Sequence, residues 1–362
     1  MTMRKYFMIF IMLAVAPLTL LAQTEAETEE DAPVEDSTLV VMEDQEAEMA
    51  YNKGIENFQK KNYAEAIAAF TEAIGFDANF AKAFFNRGAV KMELHKYKDA
   101  IEDFDKAIEL DDSLAAAYYN RGRAKHTIND NAGALADYAL AVEKGHKDAK
   151  VYYYTGVIRF QDADYQGAVE AFDESIKLDP KFAFAYNDRG SAKRKLEKYD
   201  DAVLDYKMAL NVDPKFEIAY NNLGSVLRKL EKYDDAIDAY TQAIKLKPDY
   251  YMAYNNRGSA RCDAKDYEGA VKDFEKALMI KSDYVYAMNN LGTAKMKMKK
   301  YDEAIRHFEK AINMDSSYGI AYLNRGISKE ELRDFSGACK DWAKAKELGV
   351  KIADTYLQEC NN

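Results

Sequence analysis

Small and aromatic residues recur among polar stretches along the chain in a pattern that repeats every 34 residues. Glycine marks each repeat, and we number it position 8: Gly54, Gly88, Gly122, Gly156, Gly190, Gly224, Gly258, Gly292 and Gly326. Position 20 is alanine and position 24 is aromatic in all nine repeats. Because glycine and alanine have almost no side chain, two antiparallel helices can approach closely there, while large rings fill the space beside them. The pattern predicts an all-α solenoid of helix pairs, in which each repeat buries its apolar face only against its neighbours.

The residues at positions 8, 20, 24 and 27 resemble the signature of the tetratricopeptide repeat (TPR) family. The alanines at position 20 are Ala66, Ala100, Ala134, Ala168, Ala202, Ala236, Ala270, Ala304 and Ala338. The rings at position 24 are Phe70, Phe104, Tyr138, Phe172, Tyr206, Tyr240, Phe274, Phe308 and Trp342. The family's proline at position 32 is present only at Pro180, Pro214 and Pro248. The resemblance implies a right-handed α-solenoid of nine 34-residue helix-turn-helix repeats, whose concave face is lined by the first helix of each repeat, helix A.

The predicted repeats cover residues 47–352. Their bounds are 47–80, 81–114, 115–148, 149–182, 183–216, 217–250, 251–284, 285–318 and 319–352. Residues 350–362 continue the phase of the repeat and predict a helix that caps the open end of the stack, since a terminal repeat otherwise exposes its apolar face. Cys339 and Cys360 then lie opposite each other on antiparallel helices. An oxidising compartment would allow a disulfide between them, the alternative being two separate thiols.

The N-terminus predicts export. Residues 1–22 begin with a basic stretch, continue with a short apolar run and end with a small residue, as secretory signal peptides do. The alternative is a permanent anchor helix, but Pro17 interrupts the run, which is shorter than the ~20 residues that span a bilayer. Residues 23–46 are acidic and predict a disordered spacer. We expect no permanent membrane span after cleavage, and a location in the periplasm or at the cell surface.

Composition and motifs argue against several functions. Acidic residues outnumber basic ones by 62 to 51, and the net charge of −11 disfavours nucleic acid as a partner. The four histidines occupy unrelated repeat positions, and no His-x-x-x-His, Gly-rich phosphate loop or Gly-x-Ser-x-Gly motif is present. The three cysteines lack Cys-x-x-Cys spacing. We therefore expect a protein that is not an enzyme and holds no metal or cofactor.

Arginine and aspartate vary together between repeats. Position 7 is arginine and position 23 is aspartate in the same five repeats: Arg87 with Asp103, Arg121 with Asp137, Arg189 with Asp205, Arg257 with Asp273, and Arg325 with Asp341. Paired variation of this kind suggests spatial contact, although recent duplication of repeats would also produce it. We predict structural ion pairs that let each arginine lie in a tight helix pair without an uncompensated charge.

Polar residues on helix A of repeats 5 to 8 predict a peptide-binding groove. Positions 5, 6 and 9 carry Asn187, Asp188, Ser191, Asn221, Asn222, Ser225, Asn255, Asn256, Ser259, Asn289, Asn290 and Thr293, and position 12 adds Arg194 and Arg228. An amide offers both a donor and an acceptor to a peptide unit, and in members of the TPR family a ladder of asparagines at position 6 holds an extended peptide. Repeats 1 to 4 carry Tyr51, Phe85, Tyr119 and Tyr153 at position 5, which predicts a less polar groove there.

Two functions remain open at this stage. The first is an exported scaffold for protein–protein interaction that binds an extended peptide segment of another protein in its concave groove. The second is a structural subunit of an envelope complex for secretion, outer-membrane assembly or motility, which would use the convex faces or the ends of the stack. Binding of a polysaccharide is a third alternative, because aromatic stripes stack on sugars. The sequence specifies neither the partner nor the oligomeric state.

Overall fold

The structure is a computed structural model that describes residues 37–361. Among these residues every regular element is helical. The helices are α1 (Ser37–Gln59), α2 (Tyr63–Phe76), α3 (Ala81–Glu93), α4 (Tyr97–Leu110), α5 (Ala115–Thr127), α6 (Asn131–Glu143), α7 (Ala149–Gln161), α8 (Tyr165–Leu178), α9 (Ala183–Lys195), α10 (Tyr199–Val212), α11 (Glu217–Lys229), α12 (Tyr233–Leu246), α13 (Tyr251–Asp263), α14 (Tyr267–Ile280), α15 (Val285–Lys297), α16 (Tyr301–Met314), α17 (Gly319–Glu331), α18 (Phe335–Glu347) and α19 (Ala353–Leu357). The odd-numbered helices α1 to α17 are helices A, and the even-numbered helices are helices B. The chain divides into two compact units, one up to Ile158 and one from Arg159.

The first helix is longer than the sequence predicts. The predicted signal peptide, residues 1–22, and most of the predicted spacer lie outside the described residues. Helix α1 begins at Ser37, however, so residues 37–46 at the end of the spacer are helical. Neither proline nor glycine lies between Ser37 and Gly54, and the intervening glutamate and alanine residues favour helix. Nothing in this stretch therefore stops the first helix A from extending backwards.

The turn between helix A and helix B has the same conformation in all nine repeats. Position 15 adopts a positive φ of 58° to 67° although it is never glycine. In repeat 5, the amide of Glu197 donates to the carbonyl of Arg194, and the amide of Lys198 donates to that of Lys193. This pair of bonds is the Schellman arrangement, which satisfies the last carbonyls of a helix. Four helices B then begin with an aspartate cap, as where Asp266 accepts from the amide of Gly269.

Glycine at position 8 lies against the ring at position 24 of the same repeat. A methyl group added at Gly258 would lie 2.7 Å from Cε1 of Phe274, and one added at Gly54 would lie 2.6 Å from Cδ1 of Phe70. Gly75, elsewhere in the first repeat, has nothing within 4 Å of such a group. The position-20 alanines are fully buried beside this contact. Helices A and B can therefore approach closely only because position 8 has no side chain.

Each predicted arginine–aspartate pair is bidentate in the structure. In repeat 7, Nε and Nη2 of Arg257 donate to the two carboxylate oxygens of Asp273 at 2.9 and 2.7 Å. The other four pairs, Arg87–Asp103, Arg121–Asp137, Arg189–Asp205 and Arg325–Asp341, have the same geometry. The aspartates are 2% to 4% exposed, so these charges are buried between helices A and B.

A second cation, which the sequence analysis missed, completes each pair. Position 11 supplies Lys91, Lys125, Lys193, Arg261 and Lys329, each 2.7 to 2.9 Å from the aspartate of its own repeat. The arginine also lies over the ring at position 4, as Arg189 lies 5.5 Å from the centre of the Tyr186 ring. Its remaining nitrogen reaches back to the preceding repeat, where Nη1 of Arg121 donates to Asp105 at 2.7 Å. The arginine therefore joins the two helices of its repeat and also joins that repeat to the one before.

The C-terminal cap is shorter than predicted. Instead of one helix over 350–362, the chain turns at Gly349, forms α19 over only Ala353–Leu357 and ends in a 3₁₀ turn over Gln358–Asn361. Such turns are common at helix termini. Tyr356 packs 5.1 Å from the Trp342 ring, and a disulfide joins Cys339 to Cys360. The cap therefore covers the apolar side of α18 and is covalently attached to it.

Replacing Asp205 by alanine should lower the free energy of unfolding by about 3–5 kcal/mol, because Arg189 and Lys193 would lose their buried counter-charge. The matched control is the triple variant Arg189→Leu/Lys193→Leu/Asp205→Ala. It reproduces repeat 6, which has Leu223, Leu227 and Ala239 at the same positions, and should cost much less than Asp205→Ala alone. Urea denaturation followed by circular dichroism measures both, and equal destabilisation by the two variants would contradict a charge-pairing role.

Candidate functional site

The predicted groove residues lie on helices α9, α11, α13 and α15, all within the second compact unit. The asparagines at position 5 are almost fully buried, with exposed fractions of 4% for Asn187, 9% for Asn221, 6% for Asn255 and 4% for Asn289. The residues at position 6 are partly exposed. Positions 5 and 6 are therefore not equivalent: the position-5 side chains are buried in the stack, and only the position-6 side chains are partly exposed.

A ladder of amide hydrogen bonds links successive repeats. The asparagine at position 6 of one repeat donates through Nδ2 to Oδ1 of the asparagine at position 5 of the repeat before. The bonds run from Asn222 to Asn187, Asn256 to Asn221, Asn290 to Asn255 and Asn324 to Asn289, at 3.0, 3.0, 3.0 and 3.1 Å. Each bond joins two helices A that are separated in sequence by a helix B. The asparagines that the sequence predicts to bind a ligand therefore also link neighbouring repeats.

Within a repeat, further bonds orient the same side chains. Nδ2 of Asn187 donates to Asp188 at 2.9 Å, and the equivalent donors of Asn255 and Asn289 lie 3.4 and 3.3 Å from Oδ1 of the residue that follows. The hydroxyl groups of Ser225, Ser259 and Thr293 each donate to the carbonyl of the asparagine four residues earlier. Because these groups already have partners, their side-chain conformations are fixed before any ligand arrives.

Basic and aromatic residues lie beside the ladder. At position 12, Arg228 donates through Nε to Asp263 of the next repeat, and Arg194 is partly buried on α9. The exposed lysines at position 13 are Lys195, Lys229 and Lys297. The rings at position 34 were not predicted from the sequence; among them, Tyr284 packs 4.9 Å from Tyr251 and 5.6 Å from Tyr286. Their signal in the sequence is an aromatic residue at position 34 of several repeats, which includes Phe182, Phe216, Tyr250 and Tyr318.

Sequence models of the tetratricopeptide repeat match most of the chain. The matches fall on residues 47–80, 81–114, 129–183, 190–231, 218–250, 253–284 and 285–318. The chain belongs to the tetratricopeptide repeat family. A comparison of this TPR protein with the curated proteins gives no match.

Solved structures are similar to this TPR protein in fold. The Cut9–Hcn1 hetero-tetramer of the APC/C has 16% identity and a TM-score of 0.55, and the match covers 86% of this chain and 76% of that one. A TPR protein from Parabacteroides merdae has 18% identity and a TM-score of 0.51, over 70% of this chain and 99% of that one. YrrB, a TPR protein described as having an unusual peptide-binding site, has 23% identity and a TM-score of 0.47, over 51% and 95%. At these identities the likeness concerns the fold alone.

The aromatic residues predicted to line a groove in repeats 1 to 3 of this TPR protein belong to its core instead. Tyr51, Phe85 and Tyr119 at position 5 are 2%, 0% and 7% exposed, and Tyr153 is partly exposed. The correction follows the same rule as in repeats 5 to 8, since position 5 faces the next helix A. Asn86 at position 6 accordingly donates to the hydroxyl of Tyr51 at 2.7 Å. A large ring at this position therefore adds buried apolar area and not a binding surface.

Two further kinds of site are absent from the described part of the chain. From residue 37 to residue 361, no group of three or more His, Cys, Asp and Glu side chains is placed to hold a metal ion. No helix in the same range is long and apolar enough to cross a membrane.

Because the asparagines at position 6 bond to the repeat before, replacing them should lower the stability of the protein. Replacing Asn222, Asn256 and Asn290 together by alanine removes three donors and leaves three buried acceptors unpaired, at about 1 kcal/mol each. We expect the free energy of unfolding to fall by about 3 kcal/mol in urea denaturation. Asn52→Ala is the matched control, because Asn52 occupies position 6 of the first repeat and is exposed. A triple variant as stable as the wild type would show that the ladder carries no stability.

Proposed function

We propose that this TPR protein is an exported scaffold that binds an extended peptide segment of another protein along helices α9, α11, α13 and α15. The observation that carries the proposal is the row of partly exposed amides at position 6. A carboxamide has two N–H donors and an oxygen with two acceptor positions. The ladder uses one donor of Asn222, Asn256 and Asn290, so each amide keeps hydrogen-bonding capacity for a peptide backbone.

The ladder supports binding through preorganisation. Ordering a free side chain at an interface costs about 0.5–1.5 kcal/mol. The asparagines are held by their neighbours, so a peptide that bonds to them does not have to order them. The same row recurs once per repeat, which suits the periodic donors and acceptors of an extended chain. The lysines at position 13 favour a peptide that is acidic or neutral.

Export rests on two observations. The N-terminal sequence has the order of a signal peptide: Arg4 and Lys5 precede the apolar run, and Ala22 precedes Gln23. The disulfide between Cys339 and Cys360 at the other end of the chain suits an oxidising compartment such as the periplasm or the cell surface.

A second candidate function, a structural subunit of an envelope complex, is favoured by the outer side of α10. Leu204 and Met208 lie one helical turn apart there and are 62% and 42% exposed. Such a subunit would use helices B and leave the position-6 amides free. Because the two functions use opposite helices, variants on helix A and on helix B separate them.

The groove proposal is tested with peptides selected from a random displayed library against the purified protein. Replacing Lys195, Lys229 and Lys297 by glutamate should weaken the binding of a selected acidic peptide about tenfold or more, since like charges now face the ligand. The matched control reverses Lys207, Lys245 and Lys276, which are also exposed but lie on helices B. Fluorescence anisotropy gives the dissociation constants. Peptides that respond only to the helix B variant would favour the structural-subunit function.

The export proposal is tested by expressing the full chain in a Gram-negative bacterium. We expect the periplasmic fraction to contain a protein whose N-terminal sequence starts at Gln23, because the signal peptide would be cleaved after Ala22. A chain without residues 2–22 should remain in the cytoplasm and serves as the control. Protein that keeps residues 1–22 and stays with the membrane would support the anchor-helix alternative instead.

A further inference from the structure

In repeats 6 to 9, helix A covers the helix B of the repeat before it through positions 3 and 10. Position 3 packs against position 27 of that helix B, as Ala253 packs with Ala243. Position 10 packs against positions 20 and 24, as Ala294 packs with Ala270 and Phe274. Both positions are small or β-branched and 0% exposed in these repeats: Ala219, Val226, Ala253, Ala260, Ala287, Ala294, Ala321 and Ser328. Since residues seven apart lie on one face of a helix, these two positions form the surface by which one repeat docks on another.

The C-terminal cap imitates this surface. Ala353 and Cys360 are also seven residues apart. Both pack in one apolar cluster with positions 20, 24 and 27 of repeat 9, which are Ala338, Trp342 and Ala345. Ala353 is 0% exposed, as position 3 is in the repeats. The cap therefore occupies the place on α18 where a further helix A would dock.

The cap is a weaker element than a helix A. Helix α19 has five residues, whereas α15 and α17 have 13, and helices shorter than about 12 residues are marginal on their own. The ion pair between Lys346 and Asp354 is exposed, so it adds little stability. The disulfide from Cys360 to Cys339 is therefore the strongest attachment of the cap to α18.

The disulfide lies where a thiol can reach it. A pocket of about 590 Å³ is lined by both cysteines and by Glu330, Phe335, Ser336, Lys340 and Trp342. Phe335 is 53% exposed, so the pocket opens to the surface. A dithiol that attacks one sulfur forms a mixed disulfide, which its second thiol then displaces. The products are two cysteine thiols on the protein and the disulfide form of the attacking dithiol.

We infer that the face of α18 formed by Ala338, Trp342 and Ala345 is a docking site for a helix of another protein, and that the Cys339–Cys360 disulfide keeps it closed. Reduction frees the cap, and a helix with small side chains seven residues apart takes its place. The site lies on a helix B at the end of the stack, so it does not depend on the groove proposed above. It does not depend on export either, because the surrounding thiols alone set the exchange.

The N-terminal helix of a second copy does not fit this site. Of the described helices A, only α1 exposes positions 3 and 10, where it carries Met49 and Glu56. Docking α1 would bury the carboxylate of Glu56 against Trp342 without a partner, which is costly. In the other helices A both positions are already covered within the stack. The occupant is therefore a helix of a different protein.

Trp342 is the only tryptophan of the chain, so its fluorescence reports on this site alone. The emission of the purified protein is measured with and without dithiothreitol. We expect reduction to shift the emission to longer wavelength, because the freed cap leaves the ring in contact with water. Circular dichroism in both states verifies that the helices of the stack are retained.

The probe for the partner is a fluorescein-labelled peptide with the sequence of residues 285–298, which carries Ala287 and Ala294 at positions 3 and 10. Fluorescence anisotropy should show at least about tenfold tighter binding to the reduced protein, since a closed site lowers the apparent affinity by the fraction that is open. The matched control is the same peptide with Ala294→Glu, which copies Glu56 of repeat 1. It should bind the reduced protein at least about tenfold more weakly, because a charge would be buried.

The variant Cys339→Ser/Cys360→Ser should bind the peptide equally well with and without dithiothreitol. Cys262→Ser removes the free cysteine and should respond to dithiothreitol like the wild type. Three results would each overturn the inference: an unchanged Trp342 emission on reduction, equal binding to the oxidised and reduced protein, or equal binding of the Ala294→Glu peptide. Dimers of the reduced protein in analytical ultracentrifugation without peptide would overturn the choice of partner, since a second copy would then fill the site.

Discussion

The contact between glycine at position 8 and the ring at position 24 fixes the geometry of every helix pair for which it is described. The distance from an added methyl group to the ring would be 2.4 to 3.1 Å, which is closer than van der Waals contact. Helix A can therefore lie this near to helix B only without a side chain. Once that approach is fixed, the direction of every other position on helix A follows from the helical period. Positions 5 and 6 then meet the neighbouring helices A, and positions 7 and 11 meet the aspartate at position 23.

The buried aspartates show how charge can be accommodated in so narrow a space. Removing a carboxylate from water costs several kcal/mol unless it is fully paired. Here each aspartate has a bidentate arginine and a second cation, so its oxygens are satisfied. Repeats 6 and 8 lack the arginine–aspartate ion pair and have Leu223 and Leu291 at position 7. Since both solutions fit the same helix pair, we regard the ion pairs as a device that fixes the alignment of helices more than as a requirement for folding.

Most of the fold, but only part of the candidate site, could be predicted from the sequence. The period, the pairing of Arg189 with Asp205 and the proximity of Cys339 to Cys360 could all be inferred, because they follow from one repeat geometry. The second cation was missed although its signal was present, since position 11 is basic in all five repeats with the aspartate. The burial of Asn255 could not be inferred in the same way. Whether an amide faces solvent or the next helix depends on the rotation between repeats, which periodicity within a chain does not specify.

In this protein the side chains that we propose to bind a peptide also link neighbouring repeats. Asn256 donates to Asn221 and is also proposed to meet a peptide, so a groove residue cannot be changed without weakening the stack. Repetition makes such double use possible, because each repeat satisfies the polar groups of its neighbour. Where repeat 3 departs from the rule at Arg123 and Tyr119, Nε of Arg123 and the hydroxyl of Tyr119 are buried without a hydrogen-bond partner. Local inconsistency of this kind is expected where a fold serves a function. In a repeat protein, then, the residues that break the internal pattern, more than those that obey it, distinguish the chemistry of one family member from another.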